Sequence, residues 1–200
     1  MRHLYVIRGC PFGHRAAFAM REKGLDFEAV FFEAGKRPPE LEALGPLAKS
    51  PTLFDEDDVR VWDSGVILEY LEERYHEPAL LPRDVVTRAE VRMTLARGAQ
   101  DLGARLGAIV AELVYKPAGQ ADPGKIAAAK QGLDEAMPSW DRALAGKTWL
   151  CGGALTLADV AIYTSFAALG RHGWTPLSAH ANVHAWLARV TARPASALPA

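Results

Sequence analysis

His3-Leu4-Tyr5-Val6-Ile7-Arg8-Gly9-Cys10-Pro11-Phe12-Gly13-His14, near the start of the 200-residue chain, decides how the rest must fold. Residues 3–7 are apolar apart from His3, which predicts a short buried strand. Gly9-Cys10-Pro11 then break it. Pro11 suits the first turn of a helix, where its missing N–H would have had no partner anyway. Ala16, Ala17, Phe18 and Met20 carry that helix over 11–23, and Gly24 stops it. Phe27 to Phe32 reads as a second strand. A strand–helix–strand unit needs a crossover, so these two strands are expected to pair in parallel.

Working outward, Glu40, Leu41, Leu44 and Leu47 after Pro38-Pro39 suggest a short irregular helix. Thr52-Leu53-Phe54 and Val59-Arg60-Val61 read as a hairpin around Asp55-Glu56-Asp57-Asp58, an acidic turn expected to be solvated and to lack the spacing of a calcium loop. Val66, Ile67, Tyr70, Leu71 and Tyr75 recur at helical spacing from Asp63 onward. The order β-α-β-α-β-β-α over residues 1–76 implies a small mixed sheet with helices on both faces. His76 to Pro82, with Pro78 and Pro82, reads as a linker, placed at 77–83. Beyond it strand alternation ends, and helices are expected over 84–116, 123–145, 156–171 and 180–192. Gly98, Gly103 and Gly107 weaken the first of these and mark close packing or bends. The Ala- and Pro-rich tail after Arg193 is expected to be loosely held. The fold class is therefore an α/β N-terminal domain, 1–76, followed by an all-α helical domain, 84–200.

Half the residues are hydrophobic and 24% are charged, with a net charge of −1. That balance gives no long-range attraction to nucleic acid or to an anionic membrane. The sequence holds no run of about eighteen apolar residues, and Arg8 interrupts the short apolar run at the N-terminus before it reaches signal-peptide length. A cytoplasmic location is the expectation. Cys10 and Cys151 are far apart and match no metal spacing, which favours a reduced compartment and no metal.

Cys10 carries the sharpest chemistry. It stands at a strand-to-helix turn, where unpaired backbone N–H groups favour an anion, and the thiolate is the reactive form of a cysteine. Cys10 is therefore a candidate nucleophile. A protonated His14, one turn on, would favour the thiolate further. Cys151, before Gly152-Gly153, reads as a packed core thiol. His180 and His184, at i and i+4, read as a solvated helix face because no third ligand stands near. Thr156-Leu157-Ala158-Asp159 has the pattern of a capping box. Replacing either Thr156 or Asp159 by alanine is expected to cost about 1 kcal/mol.

Cys10-Pro11-Phe12-Gly13-His14-Arg15 resembles the active-site turn of cysteine-type glutathione transferases, the omega- and beta-like members, and of glutaredoxins. Gly13 stands where glutaredoxins carry a second cysteine, so the resemblance implies a monothiol cycle completed by an outside thiol. Gly45-Pro46-Leu47-Ala48-Lys49-Ser50-Pro51-Thr52-Leu53 resembles the transferase stretch Asn-Pro-x-Gly-Lys-Val-Pro-x-Leu, matching at Pro46, Lys49, Pro51 and Leu53. There the resemblance implies a cis Pro51, a Ser50 backbone that pairs with the glutathione peptide, and a Lys49 that faces the glycine carboxylate. Asp63-Ser64-Gly65-Val66-Ile67 resembles Glu-Ser-x-Ala-Ile. It implies that Ser64 and the helix N–H groups hold the γ-glutamyl carboxylate, with Asp63 meeting the ammonium. Trp186, Arg189 and Arg193-Pro194 resemble the last helix of the family and its exit.

Together these likenesses imply the glutathione transferase fold, a thioredoxin-like domain before a helical one. They also imply glutathione as co-substrate, an electrophile or disulfide of unknown identity as second substrate, a homodimer, and thiol transfer or reduction as the activity. The stretches at 50–53, 63–64, 69–75 and 80–82, with Arg88, also resemble stringent starvation protein A, a bacterial protein of this fold that binds RNA polymerase. That likeness implies a non-catalytic interaction protein. Cys10, which that protein does not require, favours the enzymatic reading.

Overall fold

The computed structural model describes residues 1–199 and groups them in two compact units, Met1–Leu81 with the segment from Arg193, and Pro82–Ala192. In the first unit, β1 (Arg2–Ile7), α1 (Pro11–Glu22), β2 (Phe27–Phe32), α2 (Pro39–Ala43), β3 (Thr52–Phe54), β4 (Arg60–Trp62) and α3 (Ser64–Arg74) follow in chain order. The sheet order is β2-β1-β3-β4. β1 and β2 are parallel, with Tyr5 opposite Val30. β3 runs antiparallel to both β1 and β4, so Leu4 stands opposite Leu53 and Leu53 opposite Val61.

Three consecutive residues of β1, Leu4, Tyr5 and Val6, are buried. Leu4 and Val6 are buried with Ala16, Ala17, Phe18 and Met20 of α1 and Ile67, Leu68 and Leu71 of α3. α1 also packs on α3. Gly13 makes the approach of α1 to β1 feasible, because a Cβ there would lie 2.7 Å from Val6 Cγ1. A second cysteine at this position would therefore collide with the strand, which is a packing reason for a single thiol in this turn.

Three charged residues of this unit are structural. Asp55 is buried, not part of a solvated turn. Its Oδ1 pairs with Arg2 Nε at 2.9 Å and accepts the Glu56 N–H at 2.8 Å, while Tyr70 and Tyr75 both donate hydroxyls to Oδ2 at 2.7 Å. Asp57 and Asp58, exposed and in left-handed backbone, make the actual turn. Lys23 and Glu72 form a buried ion pair at 2.6 Å. Lys23 also donates to the carbonyls of Tyr75 and Pro78, and Glu72 accepts the N–H groups of Leu80 and Leu81, so the pair ties the chain leaving α3 to the unit it leaves.

The tail is held as well, contrary to the composition-based expectation. Arg193 makes a two-bond fork to Glu22 at 2.6 Å each, and Arg21 donates to the Ala197 carbonyl at 2.6 Å. The buried His14 donates from Nε2 to the Ser196 carbonyl at 2.6 Å. α1 presents the charged and ring groups that fix the tail, a pairing between residues 171 or more positions apart that local sequence cannot show.

Burial pushes the Asp55 carboxyl up, but the Tyr75 and Tyr70 hydroxyls, the Glu56 amide and the Arg2 charge outweigh it and hold it below its ordinary 3.8. The sign follows from that direction. The unfolded chain binds the proton more readily, so this stabilisation is complete above the ordinary carboxylate value and is lost as pH falls through the lower folded value. Asp55→Asn is expected to destabilise by about 2 kcal/mol at pH 7. Its urea midpoint should approach that of the unaltered protein as pH falls below 3.8, and denaturation at pH 7 and across that acid range checks this.

The second unit contains α4 (Val85–Gly98), a π turn (Ala99–Gly103), α5 (Ala104–Leu113), α6 (Pro123–Leu144), α7 (Leu157–Arg171) and α8 (Ala181–Thr191). The single helix expected over 84–116 is thus broken by one π turn. A Cβ at Gly98 would collide with the Ile162 side chain, so this glycine admits α7 against α4. Among the described residues no helix is long and apolar enough to cross a membrane.

Candidate functional site

Cys10 is the N-cap of α1, in extended backbone with φ −63° and ψ 120°. Its N–H donates to the Ile7 carbonyl at 3.0 Å, and its own carbonyl accepts from His14 N at 3.0 Å. The helix thus begins directly after the half-buried thiol, whose side chain makes no cap bond. The unpaired N–H groups of the first turn lie at that end of the helix. His14 follows one turn on, but its Nε2 is occupied by the Ser196 carbonyl and its ring stacks on Phe18, so it serves the packing of the tail.

The segment before β3 is fixed from several sides. Arg37 donates to the carbonyls of Gly45 and Ala48. Thr52 Oγ1 donates to the Lys49 carbonyl at 2.6 Å, and Ser50 Oγ accepts the Ile7 N–H at 2.9 Å, fastening Ser50 to the end of β1. The Ser50–Pro51 bond is cis, as the resemblance implies. Lys49 is exposed.

Asp63 caps α3 from a left-handed backbone, φ 71°, unusual for a residue other than glycine. Its Oδ1 accepts from Gly65 N at 2.8 Å and Val66 N at 3.2 Å. The cap therefore occupies two of the helix N–H groups that the sequence reading left for a ligand. Ser64 is buried and accepts a bond from Arg15 Nη1 at 3.4 Å. Arg15 lies 5.3 Å from the centre of the Phe12 ring. Burial lowers its guanidinium to about 10, against the opposing pull of Asp63 and Cys10.

These pieces border one cleft of about 490 Å³. Lys49, Ser50, Pro51, Asp63 and Ser64 all line it, and Cys10 sits outside its wall, two residues before Phe12, which does line it. Arg15 and Trp62 also line the cleft and were not singled out in the sequence. Both stand beside motif residues, Arg15 at the end of the Cys10 motif and Trp62 next to Asp63, and adjacency was the only available signal. Cys151 is buried, with its sulfur 3.4 Å from Thr94 Oγ1, and burial pushes its thiol up. His184 Nε2 lies within 3.2 Å of the Pro176 and Leu177 carbonyls. No group of three metal-ligating side chains occurs among the described residues.

A four-stranded mixed sheet that carries this cleft, followed by a helical unit, defines a class of protein, and sequence comparison identifies it. Residues 9–74 match the family model for the glutathione S-transferase N-terminal domain, and residues 108–194 match that for the C-terminal domain. The chain is 30% identical over 154 residues to glutathione S-transferase F10 of Arabidopsis thaliana, covering 74% of this chain and 71% of that one. It is 34% identical over 90 residues to a stringent starvation protein A homolog of Haemophilus ducreyi, 45% of this chain and 42% of that one. Among solved structures, a glutathione S-transferase from Rhodospirillum rubrum F11 superposes with a TM-score of 0.88 at 29% identity, covering 98% of this chain and 90% of that one. Ure2p, solved in complex with glutathione, gives a TM-score of 0.84 at 22% identity over 98% of this chain and 96% of that one. The chain belongs to the glutathione transferase family.

Proposed function

We propose that this protein is a glutathione-dependent thiol transferase that uses Cys10 as its nucleophile. The observation that carries the reading is the cleft that gathers Lys49, Ser50-Pro51 and Asp63-Ser64 in the unit whose first helix starts at Cys10. Lys49 supplies a cation for the glycine carboxylate, the Ser50 backbone pairs with the cysteinyl peptide, and Ser64 receives the γ-glutamyl carboxylate. Asp63 Oδ1 is occupied by the cap, so the ammonium falls to Oδ2. The glutathione complex of Ure2p supports glutathione as the thiol. No metal enters the reaction. A homodimer in the cytoplasm belongs to the same proposal, as does a second substrate that is a disulfide or an electrophile.

In the first step the Cys10 thiolate attacks the glutathione sulfur of a mixed disulfide. A new S–S bond joins Cys10 to glutathione as the old one breaks, and the departing thiolate takes a proton from water. Gly13 offers no resolving thiol. The thiolate of a second glutathione therefore attacks the bound glutathione sulfur, releasing glutathione disulfide and restoring the Cys10 thiolate.

Calorimetric titration with reduced glutathione, paired with a glutathione-dependent assay of mixed-disulfide reduction, tests the reading. Saturable binding and turnover are expected, with Lys49→Ala raising KM about tenfold. A protein that binds no glutathione and reduces no disulfide would instead fit the interaction-protein reading, for which the likeness to the stringent starvation protein A homolog is the favouring observation.

A further inference from the structure

We propose that Arg15 is a positioning residue that makes the cleft selective for thiols carrying a γ-glutamyl α-carboxylate, by fixing the direction of the Ser64 hydroxyl. This rests on the thiol-ligand reading above and goes beyond it to a residue that no motif assigned. Donor and acceptor roles set the direction of the hydroxyl. A guanidinium can only donate. Arg15 Nη1 lies 3.4 Å from Ser64 Oγ, so this oxygen is the acceptor of the pair. The hydroxyl hydrogen then points elsewhere, and no acceptor among the described residues takes it. Ser64 is buried and both residues line the cleft. A ligand carboxylate there meets a hydroxyl already set as a donor and polarised by the cation behind it, the arrangement that strengthens a hydrogen bond to an anion.

The cap at Asp63 raises the importance of this donor. With the Gly65 and Val66 N–H groups taken by Asp63 Oδ1, the start of α3 offers an anion little beyond the Ser64 N–H and hydroxyl. The fit is to a carboxylate, because a neutral group gains nothing from the cation that donates to Ser64 Oγ. Arg15 does not touch the reacting sulfur in this scheme. Its effect appears in ligand choice.

The test is calorimetry with two tripeptides, reduced glutathione and 4-aminobutanoyl-cysteinyl-glycine, which lacks only the α-carboxylate of the γ-glutamyl residue. The proteins are the unaltered chain, Ser64→Ala, Arg15→Met and the double variant, each first shown by thermal melting to be folded. Arg15→Met is expected to weaken glutathione binding about tenfold. The carboxylate-free tripeptide should change by less than about twofold, and the double variant should match Ser64→Ala within the same margin. Should Arg15→Met melt early, Arg15→Gln replaces it. Its amide oxygen can accept the Ser64 hydrogen and withdraw it from the ligand, so the same selective loss is expected. Equal losses for both tripeptides, or a further loss in the Ser64→Ala background, overturn the role of Arg15 and leave the thiol-ligand reading standing. An unaltered protein that binds neither tripeptide overturns that reading and this inference with it.

Discussion

Cys10→Ser is expected to lower glutathione-dependent disulfide reduction by about a thousandfold or more while glutathione affinity stays within about twofold. The serine hydroxyl keeps its proton at neutral pH and does not attack sulfur, so the first step has no nucleophile. The fold should not suffer, because the Cys10 side chain makes no cap bond and the contacts that start α1 are those of its backbone. Cys151→Ser serves as the control. Its thiol is buried against Thr94 and pushed up by burial, which removes it from thiolate chemistry. Iodoacetamide labelling followed by mass analysis should mark Cys10 first, and glutathione should protect it. Full reductase activity in Cys10→Ser would sink the nucleophile assignment.

Asp159→Ala is expected to destabilise the protein by about 3–5 kcal/mol, well beyond the figure of about 1 kcal/mol suggested by the capping pattern. The structure gives the reason. Asp159 is fully buried and is the acceptor for four donors. Oδ2 takes the Thr156 N–H and hydroxyl at 2.9 Å each, and Oδ1 takes Leu150 N at 2.9 Å and Trp186 Nε1 at 2.8 Å. Alanine would strand those donors out of reach of water, each at about 1–3 kcal/mol before relaxation. A fall in melting temperature of roughly 10 °C is the corresponding signal. Thr156→Ala removes one donor and should stay near about 1 kcal/mol.

Burial raises the Asp159 carboxyl, with the amide, indole and hydroxyl donors opposing it. A raised folded value means that this group favours folding most below its ordinary 3.8 and progressively less as pH rises through the raised value. Its pH signature is therefore opposite in sign to that of Asp55. Labelling of Cys10 in the folded fraction should be unchanged by either change at the cap. A near-neutral Asp159→Ala would show that the four-donor site is not what joins the 150s loop to α8.

What the sequence could show was local. Apolar runs and their punctuation placed β1, α1 and β2, and the crossover rule made the first two strands parallel. Pro11 and Gly24 marked both ends of α1, and the motif residues around Lys49, Ser50, Pro51, Asp63 and Ser64 were readable because each lies in a short contiguous segment. Gly98 was legible as a packing position, though not its partner Ile162 on a helix more than sixty positions away.

What tertiary structure alone decided was every role that depends on a distant partner. Asp55 looked like one more solvated carboxylate in an acidic turn until Arg2, Tyr70 and Tyr75 were brought to it. The tail composition suggested looseness, yet Glu22, Arg21 and His14 hold it. Asp63 and Ser64 could be named as capping and binding residues, but only the folded chain shows that the cap occupies two helix N–H groups and that Arg15 stands behind Ser64. The sequence by itself determined which residues form strands and helices, because hydrophobic period, Pro and Gly act on the chain within a few positions. Which polar groups are buried together, and so which of them carry stability and which face a ligand, was decided by the fold, since burial and hydrogen-bond partnership exist only once remote segments meet.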